Sequence, residues 1–280
     1  MRFTKMNGAG NDFIILDRIR EDVPAEQAPR LARTLCDRRR GIGADGLMIV
    51  DRAEGDADFK MRFFNADGSM GEMCGNGARC ICRYGYENGY SGEVQRIETT
   101  AGPVTGRRVD ARNYRIRLNT PSIVELEKVI EVDEKPITVS YVELGCPGIP
   151  HAVVEIKKLA QQDEKMLFEL GRKLRYHPAF PKGANVNFFA LTGEDTLVEK
   201  TWERGVEDFT LACGTGTGSV VTVLTLQGRV SGNNVRAVMA GGELVIDAER
   251  EGDKIVNLYL TGPTCKAAEG EIGTELLEMI

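Results

Sequence analysis

The sequence predicts an α/β (α+β) protein of two similar domains, each with strands wrapped round a central helix. Three observations carry this. Related residues recur at a constant shift of 139 positions, helical and strand patterns alternate in the same order in both halves, and the stretch Gly214 to Leu226 is almost uncharged.

In the first half, Phe13 to Leu16 and Leu47 to Val50 are short apolar runs of strand length, and Lys60 to Phe64 alternates with a two-residue period. Ala25 to Arg39 reads as an amphipathic helix, with Leu31 and Leu35 four apart on one face. A second helix starts at Cys74 and carries Ala78, Ile81, Cys82 and Gly85. The second half repeats the order: a helix near Gln161 to Arg175, strands at Val186 to Ala190 and Thr196 to Glu203, and a helix from Gly214 to Leu226. Ser219, Val220, Val221, Val223, Leu224 and Leu226 leave that last helix no charged side, and a helix apolar all round is buried.

The repeat holds one register without a gap. Leu31, Arg33 and Leu35 fall on Leu170, Arg172 and Leu174; Cys74-Gly75 falls on Cys213-Gly214; Gly89 and Gly102 fall on Gly228 and Gly241. Pro121, within Asn119 to Ser122, marks the boundary. The expected domains are residues 1–118 with 264–280, the last segment returning to the first domain, and 119–263.

Composition narrows the function. A net charge of -6 gives no footprint for nucleic acid, and Arg38-Arg39-Arg40 reads as a solvated helix end. No apolar run is long enough to span a bilayer, and the N-terminus lacks a signal-peptide core, so the expectation is cytoplasmic, with the seven cysteines reduced. Only two histidines, His151 and His177, are present, which is poor supply for a histidine-rich metal site or a His-centred triad. Cysteine is often an apolar filler, and that reading is accepted for Cys36, Cys80, Cys82, Cys146 and Cys265.

Cys74 and Cys213 are different. Each is followed by Gly-x-Gly, Gly75-Asn76-Gly77 and Gly214-Thr215-Gly216, at a turn-to-helix transition. The first N–H groups of a helix lack intrahelical partners and carry partial positive charge. They can bind a carboxylate, and they favour a thiolate, so the thiol is expected to fall towards neutrality. Two such sites on one cleft could place a sulfur on each side of an amino-acid α-carbon. One thiolate removes the proton while the opposite thiol returns one, a two-base inversion that needs no cofactor or metal. The pair would titrate as a coupled unit.

At these residues the sequence resembles the diaminopimelate epimerase family over nearly its whole length. The resemblance rests on Lys5-Met6-Asn7-Gly8-Ala9-Gly10-Asn11-Asp12-Phe13, Arg40-Gly41-Ile42-Gly43-Ala44-Asp45-Gly46, and Phe64-Asn65-Ala66-Asp67-Gly68-Ser69 with Cys74-Gly75-Asn76-Gly77-Ala78-Arg79-Cys80. Phe180-Pro181 with Asn185-Val186, Glu203-Arg204-Gly205 and Ala212-Cys213-Gly214-Thr215-Gly216 complete it. It implies two pseudo-symmetric domains, each a mixed sheet or barrel around a helix, in a cofactor-free homodimer acting on a small amino-acid substrate.

The resemblance also implies roles. Cys74 and Cys213 are acid and base, and the N–H groups of Gly75, Asn76, Gly214 and Thr215 hold the α-carboxylate. Glu203 contacts the α-amino group, and Asn11, Asn65, Asn185 and Arg204 read the distal end of the substrate. His151 either orients Glu203 or the amine, or caps a strand; His177, before Pro178, reads as surface.

Two departures bear on distal selectivity: Ile149, where members commonly have Asn, and Gly46, where some have Gln. Ile149 keeps open a racemase or epimerase of another amino acid. A remote alternative is a phosphate-binding module built on Gly214-Thr215-Gly216-Thr217-Gly218, but no Gly-Lys-Ser/Thr follows it.

Overall fold

The computed structural model describes residues 1–71, 74–100 and 102–279. The chain forms two compact units, Met1–Ile116 with Gly262–Ile280, and Arg117–Thr261.

The first unit contains β1 (Arg2–Gly8), β2 (Asn11–Asp17), a 3-10 turn (Ala25–Gln27), α1 (Ala28–Cys36), β3 (Gly46–Asp51), β4 (Phe59–Asn65) and β5 (Met70–Gly71). It continues with α2 (Gly75–Glu87), β6 (Val94–Glu98), β7 (Val104–Arg108) and β8 (Asn113–Leu118). β1 lies antiparallel to β2, β2 parallel to β3, β3 antiparallel to β4, β4 parallel to β6, and β6, β7 and β8 run as an antiparallel meander.

The parallel pair β2 and β3 is apolar at successive positions because both faces are covered. Ile14, Leu16, Leu47 and Ile49 pack with Leu31, Ala32 and Leu35 of α1. On the other face Met48 and Phe13 press on Gly77 of α2, where a Cβ would collide with the Met48 methyl.

The helix expected over Ala25 to Arg39 is shorter. It begins as the 3-10 turn and ends at Cys36, because Asp37 turns extended and its carboxylate accepts the N–H groups of Arg39 and Arg40, both at 2.8 Å. Arg38, Arg39 and Arg40 lie just beyond this end and are exposed, as expected of a solvated helix end, while Arg38 also reaches back onto Asp12 and Asp45.

The second unit contains β9 (Pro121–Val132), β10 (Lys135–Leu144), β11 (Ile149–Glu155), a 3-10 turn (Leu159–Gln161), α3 (Glu164–Arg175), β12 (Asn185–Gly193) and β13 (Thr196–Glu203). β14 (Asp208–Thr210), α4 (Gly214–Leu226), β15 (Val235–Met239), β16 (Gly242–Glu251) and β17 (Lys254–Pro263) follow. The pairing senses repeat those of the first unit in order: β10–β11 antiparallel, β11–β12 parallel, β12–β13 antiparallel, β13–β15 parallel, then antiparallel through β16 and β17.

β9 lies antiparallel to β10, and the chain's last strand, β18 (Cys265–Glu271), lies antiparallel to β1 in the corresponding place; α5 (Thr274–Leu277) ends the first unit. α2 and α4 both have 13 residues and stand in the same repeat register. α4 packs on β9, β10, β11, β12 and β16, buried as its uncharged sequence requires. α3, capped by Asp163, covers the opposite layer through Leu167 and Leu174 against Val154, Val186, Phe188 and Trp202.

Cys36, Cys80 and Cys82 are buried fillers, and burial pushes their thiols up to about 12. The same reading fails for Cys146 and Cys265, which are exposed. Cys146 sits in the turn before Pro147, to which it is joined by a cis peptide, and Cys265 opens a strand whose first five residues all face solvent. No helix among the described residues is long and apolar enough to cross a membrane.

Candidate active site

Cys74 is the N-cap residue of α2, with extended backbone (φ −124°, ψ 120°). Its Sγ donates to Asn11 Oδ1 at 3.3 Å. Asn11 Nδ2 donates to Asp45 Oδ2 at 2.6 Å, and Asp45 Oδ1 accepts from Arg38 at 2.7 Å. Arg38 also grips Asp12 through two hydrogen bonds, and Lys5 stands 3.1 Å from Asp12. Burial pushes the Asp12 carboxyl up, but Arg38 and Lys5 together carry it below the usual carboxylate range. This charged lattice fixes which way the Asn11 amide faces.

Gly75 and Asn76 form the first turn of α2 and are buried; Asn76 Oδ1 accepts from Arg79 at 3.0 Å. Asn65 lies across the ladder from Gly46, beside Asp45, whose carbonyl accepts the Ala66 N–H at 3.2 Å. Asn65 is exposed and donates from Nδ2 to Ser69 Oγ at 3.0 Å, so it shapes its turn while staying open to a ligand. At Gly46 a Cβ would stand 2.5 Å from the Phe63 ring and 2.8 Å from the Phe64 carbonyl, so Phe63 occupies the space a side chain would need.

In the second unit Cys213 caps α4 with the same backbone (φ −126°, ψ 105°). Its Sγ accepts the Gly216 N–H at 3.4 Å and lies 3.6 Å from Thr215 Oγ1, while Thr217 Oγ1 donates to the Cys213 carbonyl at 2.9 Å. Sequence reasoning expects the helix terminus to lower this thiol. Instead burial, then the Glu203 charge, push it up and outweigh the Thr215 hydroxyl and the Gly216 N–H.

Asn185 opens β12. Its Nδ2 donates to the Pro150 carbonyl at 3.1 Å, and its Oδ1 accepts the Arg204 N–H at 2.8 Å, which ties the strand to the turn after Glu203. The exposed Arg204 guanidinium donates to the Lys182 carbonyl at 3.0 Å. Ile149 opens β11 opposite Leu144.

His151 is fully buried, and burial pushes it down to about 3, so its ring is neutral. Its Nδ1 stands 3.2 Å from Asn187 Nδ2 and acts as acceptor there. Asn187 Oδ1 accepts from Thr201 Oγ1 at 3.1 Å, and Thr201 lies 3.4 Å from Glu199 Oε1. Glu199 is buried, and burial pushes its carboxyl up to about 8. A polar chain thus runs from His151 to Glu199 near the start of α4, where a Cβ on Gly216 would collide with Asn187 Oδ1 and approach Cys213 Sγ at 3.2 Å.

Asn187, Thr201, Glu199 and Asp45 are absent from the sequence-based site. The available signal was strand periodicity: Glu199, Thr201 and Glu203 alternate along β13 on one face, with Trp202 on the other. Among the described residues, no three His, Cys, Asp or Glu side chains gather into a metal site.

The family profile described as diaminopimelate epimerase matches residues 3–121 and 146–266, and so covers both cysteine-capped helices. The chain belongs to the diaminopimelate epimerase family. Among curated relatives, the diaminopimelate epimerase of Aquifex aeolicus is 38% identical, with 99% of this chain and 100% of the relative covered. That of Archaeoglobus fulgidus is 36% identical, covering 96% and 95%. Among solved structures, a probable proline racemase from Agrobacterium radiobacter superimposes with a TM-score of 0.72 at 18% identity, covering 98% of this chain and 93% of that one. A putative phenazine biosynthesis protein from Clostridium difficile gives 0.69 at 11% identity, covering 98% and 99%. These two likenesses concern the fold; the diaminopimelate epimerase assignment rests on the sequence match.

Proposed function

We propose that this chain is an isomerase that interconverts LL- and meso-2,6-diaminopimelate for lysine biosynthesis, with Cys74 and Cys213 as the two bases. The observation that carries the reading is the duplicated helix start: in each unit a cysteine caps a 13-residue helix that follows the same strand order, in a chain of this family. In one direction the thiolate of one cysteine takes the α-proton, and the thiol of the other delivers a proton to the opposite face. The N–H groups of Gly75, Asn76, Gly214 and Thr215 hold the α-carboxylate, whose charge they also stabilise as the carbanion develops. Glu203 takes the α-ammonium, and Asn11, Asn65, Asn185 and Arg204 read the distal amino-acid group, Arg through a bidentate carboxylate contact. His151, being neutral and bound to Asn187, supports the Cys213 side from beneath.

The rival reading, a racemase of another amino acid, is not favoured: the probable proline racemase shares only 18% identity, against 38% for the Aquifex aeolicus epimerase. We further read the chain as a cytoplasmic homodimer, in keeping with its seven free cysteines and the family resemblance. Light scattering on the purified protein checks the dimer.

The function is tested by incubating the reduced protein with LL-diaminopimelate in deuterated water and following the α-proton by NMR. Loss of the α-proton signal together with appearance of the meso isomer, without added cofactor, is expected. Exchange with proline but not diaminopimelate would transfer the assignment to the rival reading; exchange with neither would sink both.

A further inference from the structure

Arg79 is one of the largest fully buried side chains of the molecule, at 0% exposure, on the second turn of α2. Its Nη2 donates to Asn76 Oδ1 at 3.0 Å and its Nη1 to the Gly75 carbonyl at 3.3 Å, while Nε has no partner. The guanidinium thus clamps the two residues that follow Cys74. Among the described residues no carboxylate pairs with it.

Charged groups on the strands packed against α2 are engaged elsewhere. On β1, Arg2 pairs with Glu21 and Lys5 with Asp12 of β2; Asp17 of β2 accepts from Tyr84 and Tyr90; Arg108 of β7 pairs with Glu93, and Arg107 is exposed. A buried guanidinium stays charged, and an isolated buried charge is costly unless an anion compensates it. Among the described residues, the ionisable groups that act on Arg79 are the thiols of Cys80, Cys74 and Cys82. Cys80 and Cys82 are sealed in the core, whereas half-buried Cys74 caps the very turn that the guanidinium grips.

The repeat sharpens the point. The position equivalent to Arg79 in the second unit is Gly218, where a Cβ would meet Leu118 and Leu258 at 3.0 Å, an apolar setting. There the acidic neighbours of Cys213 are Glu203 and Glu199, the latter held in its neutral form by burial. The pseudo-symmetric fold therefore carries a cation behind one cysteine and acids beside the other.

We propose that Arg79 is a positioning residue that fixes the Gly75–Asn76 turn and serves as the buried counter-charge for negative charge at the start of α2, on Cys74 Sγ and on a carboxylate held there. The sulfur part rests on the grip of the buried guanidinium on the two residues that follow Cys74; the carboxylate part rests on the function proposed above.

The test is the pH dependence of iodoacetamide alkylation at Cys74 in the full chain, read by peptide mass spectrometry with Cys146 as an internal exposed control. Arg79→Met removes the charge and Arg79→Lys keeps it. In Arg79→Met the midpoint of Cys74 alkylation should move up by about one pH unit, a roughly tenfold slower reaction at pH 7. In Arg79→Lys it should stay near that of the wild type, and Cys146 should not respond. Equal shifts in both variants, or none in Arg79→Met, would reduce Arg79 to a packing role and overturn the proposal. If Arg79→Met does not fold, Arg79→Gln takes its place. If that also fails, a wild-type Cys74 alkylated no faster than Cys146 at pH 7 overturns the proposal by itself. A chain inactive on diaminopimelate that still shows the shift would keep the Arg79 assignment and sink the proposed function instead.

Discussion

Cys74 Sγ donates to Asn11 Oδ1 at 3.3 Å, and the other end of the same amide is bound to Asp45 at 2.6 Å. Asn11 therefore cannot flip without breaking a bond to a carboxylate that Arg38 itself holds. The amide oxygen faces the thiol and accepts from it, and the thiol must lose that proton before Cys74 can act as base.

Hydrogen bonds to charged groups are worth roughly 1.5–3 kcal/mol. Asn11→Ala is accordingly expected to lower kcat/KM about 10- to 100-fold, with little change in thermal stability because the site is half exposed. Asp45→Asn, which frees the amide to rotate, should give a smaller loss in the same direction. Steady-state kinetics with LL-diaminopimelate check both, and full activity in Asn11→Ala would remove the residue from the site.

Cys74→Ala and Cys213→Ala should each abolish epimerisation under the two-base scheme. Each variant retains one potential base, so slow α-hydrogen exchange from one stereoisomer, without net inversion, is the expected residual signal. Inversion at the wild-type rate in either variant would eliminate the scheme.

Gly216 lies where the helix start, Asn187 Oδ1 and Cys213 Sγ converge. Because Asn187 is buried and bonded on two sides, it cannot retreat cheaply from an added methyl group. Gly216→Ala should cost on the order of 1–3 kcal/mol of stability by overpacking and also depress kcat by displacing the cysteine. Chemical denaturation and kinetics measure the two effects. An active, fully stable variant would show that the contact relaxes freely.

Glu199 is raised by burial from an ordinary 4.5 to about 8, so the folded state prefers its neutral form. Its contribution is fully present below pH 4.5 and is lost as pH rises through about 8, a swing on the order of 5 kcal/mol. Glu199→Gln should remove this alkaline decline while preserving the hydrogen bonding. Melting temperatures from pH 5 to 9 for the two proteins test it, and parallel curves would contradict it. His151 acts in the opposite sense: lowered to about 3, it weakens the fold as pH falls below 6.5.

Much of the frame was legible beforehand. The register of Cys74 and Cys213 placed both helix starts, and α4 occupies the very residues that its lack of charge marked out, Gly214–Leu226. Strands were recognisable where both faces are covered, as at Leu47 to Val50, because burial on two sides leaves a continuous apolar run. β9 was not legible: most of its 12 residues are exposed, so no apolar period marks it, and its order comes from pairing with β10.

By itself the sequence determined the family, the duplicated architecture and the two cysteines at their helix starts, since motif spacing and hydrophobic period are local properties of the chain. Only the tertiary structure decided what surrounds those cysteines. Arg79 and Glu199 look like ordinary charged residues in one dimension, and their effect depends on having no water around them. Desolvation, which sets the charge of a buried group, comes from atoms contributed by distant segments, and no stretch of sequence carries it alone.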